Sequence, residues 1–143
     1  MDKKALTAPC GLDCFNCELF QDNLTAELVQ AIHVKMGVPK EEIACHGCRQ
    51  QDGKHFHLPQ AGCATLDCVK EKGVDYCFTC HEFPCLFLGP TADQAARYPH
   101  NMKVYNLCRM KKVGLDRWIE EEAGSIRKKY FKGKFVVGKG QAD

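Results

Sequence analysis

Ten of the eleven cysteines in this 143-residue chain lie in close groups, and a cysteine thiolate is either a nucleophile or a metal ligand. A Cys-x-x-Cys spacing lets two sulfurs converge on one tetrahedral ion, and the chain contains three such pairs. We therefore predict that the ten grouped cysteines are metal ligands. The groups are Cys10-x3-Cys14-x2-Cys17, Cys45-x2-Cys48, Cys63-x4-Cys68 and Cys77-x2-Cys80-x4-Cys85.

The start of the chain favours metal sites over disulfides. Residues 1–9 contain no apolar stretch of the kind that a signal peptide needs, and no run in the chain approaches the length that spans a bilayer. We therefore expect a cytoplasmic protein without membrane attachment. Structural disulfides are rare in a reducing compartment, and an odd number of cysteines cannot all pair.

Zinc is the metal that we expect. Ten thiols suffice for two four-coordinate zinc sites, or for three sites if histidines join. We group the Cys45/Cys48 pair with the Cys77/Cys80 pair, and Cys10, Cys14 and Cys17 with Cys85. Cys63 and Cys68 would then close a third site with His55 or His57. The other interpretation of these two histidines is a polar surface loop.

Two further positions have local interpretations of their own. Gly47, inside the Cys45–Cys48 pair, suits a knuckle turn in which backbone amides bend toward sulfur. Cys108 lies beside Leu107 in a predicted helix, and we expect it to be a small buried apolar residue rather than a ligand.

Two alternatives to structural zinc stay open. Four thiolates suit iron as well as zinc, so the chain could be an electron-transfer or redox-sensing protein with a 4Fe-4S cluster. It could also be an enzyme with one labile zinc ligand or one reactive thiol. Zinc held by four thiolates leaves no position for water, which favours a binding module over an enzyme.

The order and spacing of the motifs resemble a known family. The segments that carry the resemblance are Cys10-Gly11-Leu12-Asp13-Cys14-Phe15-Asn16-Cys17, Ile43-Ala44-Cys45-His46-Gly47-Cys48-Arg49, Cys68-Val69-Lys70-Glu71-Lys72-Gly73-Val74 and Cys77-Phe78-Thr79-Cys80-His81-Glu82-Phe83-Pro84-Cys85. Together they are similar to the small bacterial and archaeal proteins of the domain of unknown function numbered 3795, over roughly residues 8–122. The resemblance implies a zinc-binding protein and no particular activity.

Helical periodicity flanks the cysteine groups. We expect a small, irregular, α-rich domain (α or α+β) stabilised by metal, with a zinc-knuckle-like Cys-rich body and flanking helices. Residues 1–90 form the body, with one helix at about 22–37 that Asp22 or Asn23 caps and Gly37 ends. Residues 91–131 form helices that pack on the body in the same domain, and residues 132–143 form a frayed basic tail.

Further elements can be placed within this frame. Short helical segments are predicted at Pro39–Ile43 and Thr65–Lys72. The C-terminal helices are predicted at Thr91–Arg97, at Asn101–Val113 with Gly114 at its end, and from Leu115 to about Tyr130. Trp118 anchors the last helix in the core, and residues 135–137 could form a short strand.

Charge divides the chain into an acidic and a basic part. Residues 1–96 hold 8 Lys/Arg against 13 Asp/Glu, and residues 97–143 hold 12 against 5. The basic part could contact nucleic acid or an acidic protein, or fold back on the acidic body. The oligomeric state cannot be read from this pattern. The residues expected to contact phosphate or an acidic partner are Lys111, Lys112, Arg127, Lys128, Lys129, Lys132 and Lys134.

Overall fold

The computed structural model describes residues 1–57, 62–89, 99–136 and 140–141. The prediction of a small helix-rich protein is confirmed. The α-helices are α1 Ala26–Met36, α2 Ala64–Glu71, α3 Lys103–Val113, α4 Leu115–Arg117 and α5 Ala123–Lys132, with a π-helical turn at Trp118–Glu122 between the last two. Single 3₁₀ turns occupy Cys14–Asn16, Gln21–Asn23, Lys40–Glu42, Cys77–Thr79, Leu86–Leu88 and Pro99–Met102.

Helix α1 begins later than the sequence suggested. Thr25 is its N-cap, because the Thr25 hydroxyl accepts a hydrogen bond from the Leu28 amide at 3.2 Å. The predicted cap residues, Asp22 and Asn23, instead belong to a separate 3₁₀ turn. The predicted end is confirmed, since Gly37 adopts φ +68° and its amide donates to the His33 carbonyl.

The C-terminal helices follow the predicted order. Gly114 separates α3 from α4 with φ +89° and ψ 152°, a conformation that is essentially restricted to glycine. The predicted helix from Leu115 is present, but it contains the π-helical turn. The helix predicted at Thr91–Arg97 lies outside the described residues.

A pair of two-residue strands follows α5. Strand β1, Phe135–Val136, pairs antiparallel with β2, Gly140–Gln141. The strand predicted at 135–137 is confirmed for its first two residues, and the third lies outside the described part of the chain. Within the predicted tail, residues 135–136 and 140–141 therefore pair with each other.

The core lies between the N-terminal loops and the C-terminal helices. Trp118 is 0% exposed, which confirms it as a core anchor, and Phe15 packs edge-on against it with ring centroids 6.3 Å apart. Leu107 and Met110 from α3 belong to the same buried cluster. Residues near the two ends of the sequence therefore share one hydrophobic core.

The segment from residue 21 to residue 57 contributes almost nothing to that core. Apart from glycines, Ile43 is the only buried residue of this segment, and helix α1 has no buried residue. The segment is attached through backbone hydrogen bonds beside Cys45, whose amide donates to the Leu19 carbonyl at 2.8 Å. Burial alone therefore supplies little free energy to hold this stretch in place.

None of the helices in the described ranges has the length and apolarity that crossing a bilayer requires.

Candidate metal centres

The eleven cysteines are all free thiols, and the fold separates ten of them into two groups. Nine of the ten line one of two cavities, and the tenth, Cys17, ends the turn that begins at Cys14. Thiol cluster 1 comprises Cys10, Cys14, Cys17, Cys45, Cys48 and Cys63. Thiol cluster 2 comprises Cys68, Cys77, Cys80 and Cys85.

Thiol cluster 2 surrounds a cleft of about 250 Å³. Cys68 lies in α2. Cys77 is the first residue of the next 3₁₀ turn, and Cys80 directly follows that turn. Cys85 lies in the loop after it. Burial, together with the neighbouring thiols, raises the pKa of Cys77 to about 12. Cys77 therefore resists ionisation unless a positive charge lies beside it.

Thiol cluster 1 brings together cysteines from three parts of the chain. Cys14 donates a hydrogen bond to Cys48, which lowers the pKa of Cys48 and raises that of Cys14. Cys45 has Cys17 and Cys48 as electrostatic neighbours. Cys14, Cys17, Cys45 and Cys48, which form two Cys-x-x-Cys pairs, are thus neighbours in the fold.

The turns that carry the cysteines have matching backbones. The Cys17 amide donates to the Cys14 carbonyl at 3.0 Å, and the Cys80 amide donates to the Cys77 carbonyl at 3.1 Å. The second cysteine of each pair is extended, with φ and ψ of −71° and 137° at Cys17 and −72° and 140° at Cys80. One local geometry therefore presents a thiol pair to each cluster.

The Cys45–Cys48 pair uses a different turn. Gly47 has φ +95°, and its amide donates to Cys45 Sγ at 3.4 Å. The expectation that a backbone amide bends toward sulfur at this position is confirmed.

The structure groups the cysteine pairs differently from the sequence-based assignment. The Cys45/Cys48 pair lies with Cys14 in cluster 1, whereas the Cys77/Cys80 pair lies with Cys85 in cluster 2. The reason is that the chain after Cys17 runs beside Cys45, with which Phe20 forms a parallel bridge. The α2 helix separates Cys63 at its N-cap from Cys68 in its last turns, so these two thiols face different cavities.

The two clusters adjoin at Cys10. The Cys77 amide donates to the Pro9 carbonyl at 2.9 Å, and Cys10 is an electrostatic neighbour of Cys77. Burial raises the pKa of Cys10 to about 11. Cys10 nevertheless lines the cavity of cluster 1, together with Cys63.

That cavity has a volume of about 440 Å³ and also includes His55 and His57. His55 Nε2 lies 3.1 Å from the Ile43 carbonyl oxygen, and the Nδ1 atoms of the two histidines are in contact. The histidines therefore lie on a loop that lines this cavity, with His55 half-buried and His57 exposed.

Within the described residues, no three or more His, Cys, Asp or Glu side chains are arranged so that they could hold a metal ion as they stand. The thiols of each cluster are neighbours that do not yet surround a common centre.

Two individual expectations are wrong. Cys108 is exposed, because it occupies a face of α3 that points away from the buried Leu107 and Met110. Arg127 is only 9% exposed, so it is not available to a phosphate or an acidic partner. Its Nη1 donates to Asp13 Oδ1 at 3.1 Å and its Nη2 to Glu18 Oε2 at 2.6 Å.

The ion pair with Asp13 is a feature that sequence reasoning missed. Asp13 is fully buried and lies inside the Cys10–Cys17 group, where its carboxylate also accepts from Asn16 Nδ2 at 3.0 Å. Among the described residues, Arg127 Nε has no hydrogen-bond partner although it is buried. The only feature of the sequence that pointed toward such an ion pair is the excess of basic residues near the C-terminus. The remaining basic candidates are all exposed: Lys111, Lys112, Lys128, Lys129, Lys132 and Lys134.

Comparison with known proteins identifies the family without a function. The model of the family described as "Protein of unknown function (DUF3795)" matches residues 6–89. The match covers both thiol clusters and includes all ten grouped cysteines. No curated protein and no solved structure matches the chain.

Proposed function

The chain belongs to this family of unknown function, and from that premise we propose that it is a zinc-binding protein in which two four-cysteine sites hold the irregular part of the fold. The first site would use Cys14, Cys17, Cys45 and Cys48. The second site would use Cys68, Cys77, Cys80 and Cys85. The observation that supports the proposal is the separation of the ten grouped cysteines into clusters of six and four, with two Cys-x-x-Cys pairs in the first and one in the second.

The chemistry of the donors fits zinc. Soft thiolates select zinc or iron–sulfur clusters among the common metals, and four thiolates around zinc form a closed structural site. Burial raises the pKa of Cys10 to about 11, and burial together with neighbouring thiols raises the pKa of Cys77 to about 12, so these two thiols are protonated near neutral pH. A divalent cation would remove that obstacle, since it binds the ionised form.

Energetics gives a second line of support. Structural zinc supplies on the order of 10–16 kcal/mol in small peptides. The segment 21–57 buries only one sizeable side chain, Ile43, yet it carries both Cys45 and Cys48. A zinc ion shared with Cys14 and Cys17 would fasten this segment to the N-terminal loop.

A saturated zinc site offers no open coordination position, so we propose a binding role rather than catalysis for these two ions. The exposed lysines of α3 and α5 are the surface proposed for an acidic protein or a nucleic acid. Affinity that falls steeply as salt is raised would support this part of the proposal. Absence of binding to single-stranded and double-stranded oligonucleotides at low salt would remove the nucleic-acid version.

The proposal is tested by cysteine variants purified without oxygen. Cys17→Ser/Cys48→Ser disrupts the first set, and Cys68→Ser/Cys80→Ser disrupts the second. Cys108→Ser is the matched control, because Cys108 is exposed and lies outside both clusters. We expect each double variant to lose one zinc ion per chain relative to the control. Unchanged metal content in both double variants would overturn the assignment.

A further inference from the structure

We propose that helix α1 is a homodimer interface, in which a second copy of this chain packs its own α1 antiparallel against the first. This surface does not include the lysines of α3 and α5, so it goes beyond the proposed function. Two properties of α1 carry the inference: its apolar side chains are left uncovered, and its charge pattern is complementary to itself.

Helix α1 is apolar but is not covered by the rest of the chain. Seven of its eleven residues are Ala, Leu, Val, Ile or Met, and none of the eleven is buried. Among the described residues, the hydrophobic core and the half-buried side chains packed against it include no residue of α1. Val34 is 70% exposed and Met36 is 61% exposed. A helix that is apolar on most sides is normally covered by other parts of a protein, so these side chains indicate a partner.

The two opposite charges of α1 lie on one side of the helix. Spacings of three and four residues place Glu27, Ala31, Val34 and Lys35 next to each other on the helix surface. Glu27, Val34 and Lys35 are exposed, and Ala31 is half-buried. None of the ion pairs within the described residues involves Glu27 or Lys35. In that part of the chain, neither charge is therefore paired with an opposite charge.

The pattern on this side is complementary to itself when two copies run antiparallel. Ala31 lies midway between Glu27 and Lys35, four residues from each. A twofold axis through Ala31 therefore places Glu27 of each copy opposite Lys35 of the other, so that two ion pairs form. The same axis places Leu28 opposite Val34 of the other copy, since these residues lie three positions on either side of Ala31. The small side chain of Ala31 lets the two helices approach each other.

This self-complementarity favours a second copy over an unrelated protein as the occupant. A parallel pair would put Glu27 beside Glu27 and Lys35 beside Lys35, and like charges repel each other. An antiparallel pair also brings the positive end of each helix dipole near the negative end of the other. Both effects select the antiparallel orientation.

The test is the molar mass in solution as a function of protein concentration, measured by sedimentation equilibrium without oxygen, so that the exposed Cys108 cannot link two chains by a disulfide. We expect wild type to pass from monomer to dimer as its concentration rises. Val34→Asp should abolish dimerisation, because it puts a carboxylate into each apolar contact at a position that is exposed in the monomer. Glu71→Lys reverses the charge of an exposed residue outside α1 and is the control that should leave dimerisation unchanged.

Charge exchange tests the antiparallel orientation. Glu27→Lys and Lys35→Glu should each weaken the dimer on the order of tenfold, because each turns two attractions into two repulsions. Glu27→Lys/Lys35→Glu in one chain should restore most of the affinity, since the two charges only change places. An equimolar mixture of the two single variants should form mixed dimers more tightly than either variant forms its own dimer.

Three outcomes would overturn the proposal. A wild-type chain that stays monomeric up to its solubility limit would leave α1 to a different protein. A dimer that Val34→Asp does not weaken would place the interface elsewhere on the molecule. Charge reversals that weaken the dimer without rescue by exchange or by mixing would contradict the antiparallel pairing. Circular dichroism of each variant excludes loss of α1 as the cause.

Discussion

Arg127 donates to Asp13 at 3.1 Å across 114 residues of sequence, and both side chains are buried. The pair connects α5 to the loop that carries Cys10, Cys14 and Cys17. Burial raises the pKa of Asp13 even with the guanidinium beside it. Removing the guanidinium would therefore leave a buried, uncompensated carboxylate and destabilise the fold. The position of the C-terminal helix and the position of the first thiol loop therefore depend on each other.

Removing Arg127 should destabilise the protein strongly. Arg127→Met leaves the Asp13 carboxylate buried without its partner, and we expect the free energy of unfolding to fall by about 3–5 kcal/mol. Arg117→Met is the control, because the Arg117–Glu121 pair is exposed and should contribute less than about 1 kcal/mol. Urea unfolding measures both, and equal losses for the two variants would contradict the account.

Trp118 should report on metal at the first thiol loop. It is the only tryptophan, it is 0% exposed, and it packs against Phe15 between Cys14 and Cys17. If metal holds this loop, a strong chelator should shift the emission of Trp118 to longer wavelength and make it accessible to acrylamide. Emission that stays unchanged after complete removal of metal would show that the core does not depend on the ion.

Gly11 is a glycine where an added methyl group should be damaging. With φ +90°, a Cβ at Gly11 would lie 2.8 Å from both Leu107 Cγ and the Lys103 carbonyl oxygen. Gly73 also has positive φ, at +62°, but no atom of the described residues lies within 4 Å of the added atom. Both alanine variants incur the left-handed strain of roughly 1–2 kcal/mol, whereas Gly11→Ala adds a steric penalty of about 1–3 kcal/mol. Thermal unfolding should separate them, and equal effects would contradict the close approach of α3 to Gly11.

Cys108 should be the fast-reacting thiol of the metal-loaded protein. It is exposed, whereas the ten grouped cysteines are buried or half-buried. We expect about one equivalent of thiol to react quickly with a maleimide before chelation, and Cys108→Ser to abolish this phase. Fast labelling of several thiols in the metal-loaded protein would argue against closed sites.

Local signals in the sequence predicted most of the helices. Gly37, Gly114 and Trp118 mark the end of α1, the break after α3 and the core anchor, because each reflects a short-range backbone or burial requirement. The start of α1 was placed too early, since Asp22 and Asn23 are as good cap residues as Thr25. Choosing among neighbouring caps depends on the packing of the preceding turn, which periodicity does not encode.

The grouping of the cysteines could not be predicted from spacing. Spacing identifies two cysteines that share a turn, such as Cys77 and Cys80. Which other cysteines lie beside that pair depends on how distant loops pack. Here the bridge between Phe20 and Cys45 decides the first cluster, and helix α2 decides that Cys63 and Cys68 diverge. Arg127 shows the same limit. Its positive charge predicted an exposed residue that contacts an external partner, but in the fold it pairs with Asp13.

The most direct test of the zinc assignment is the metal and acid-labile sulfide content of wild-type protein purified without oxygen, with a visible spectrum of the same sample. The account predicts at least two zinc ions per chain, with no sulfide and no visible absorbance. Iron with stoichiometric sulfide and a broad visible band would contradict it and would make the protein an iron–sulfur protein. Folded protein without either metal would contradict any metal role for the two thiol clusters.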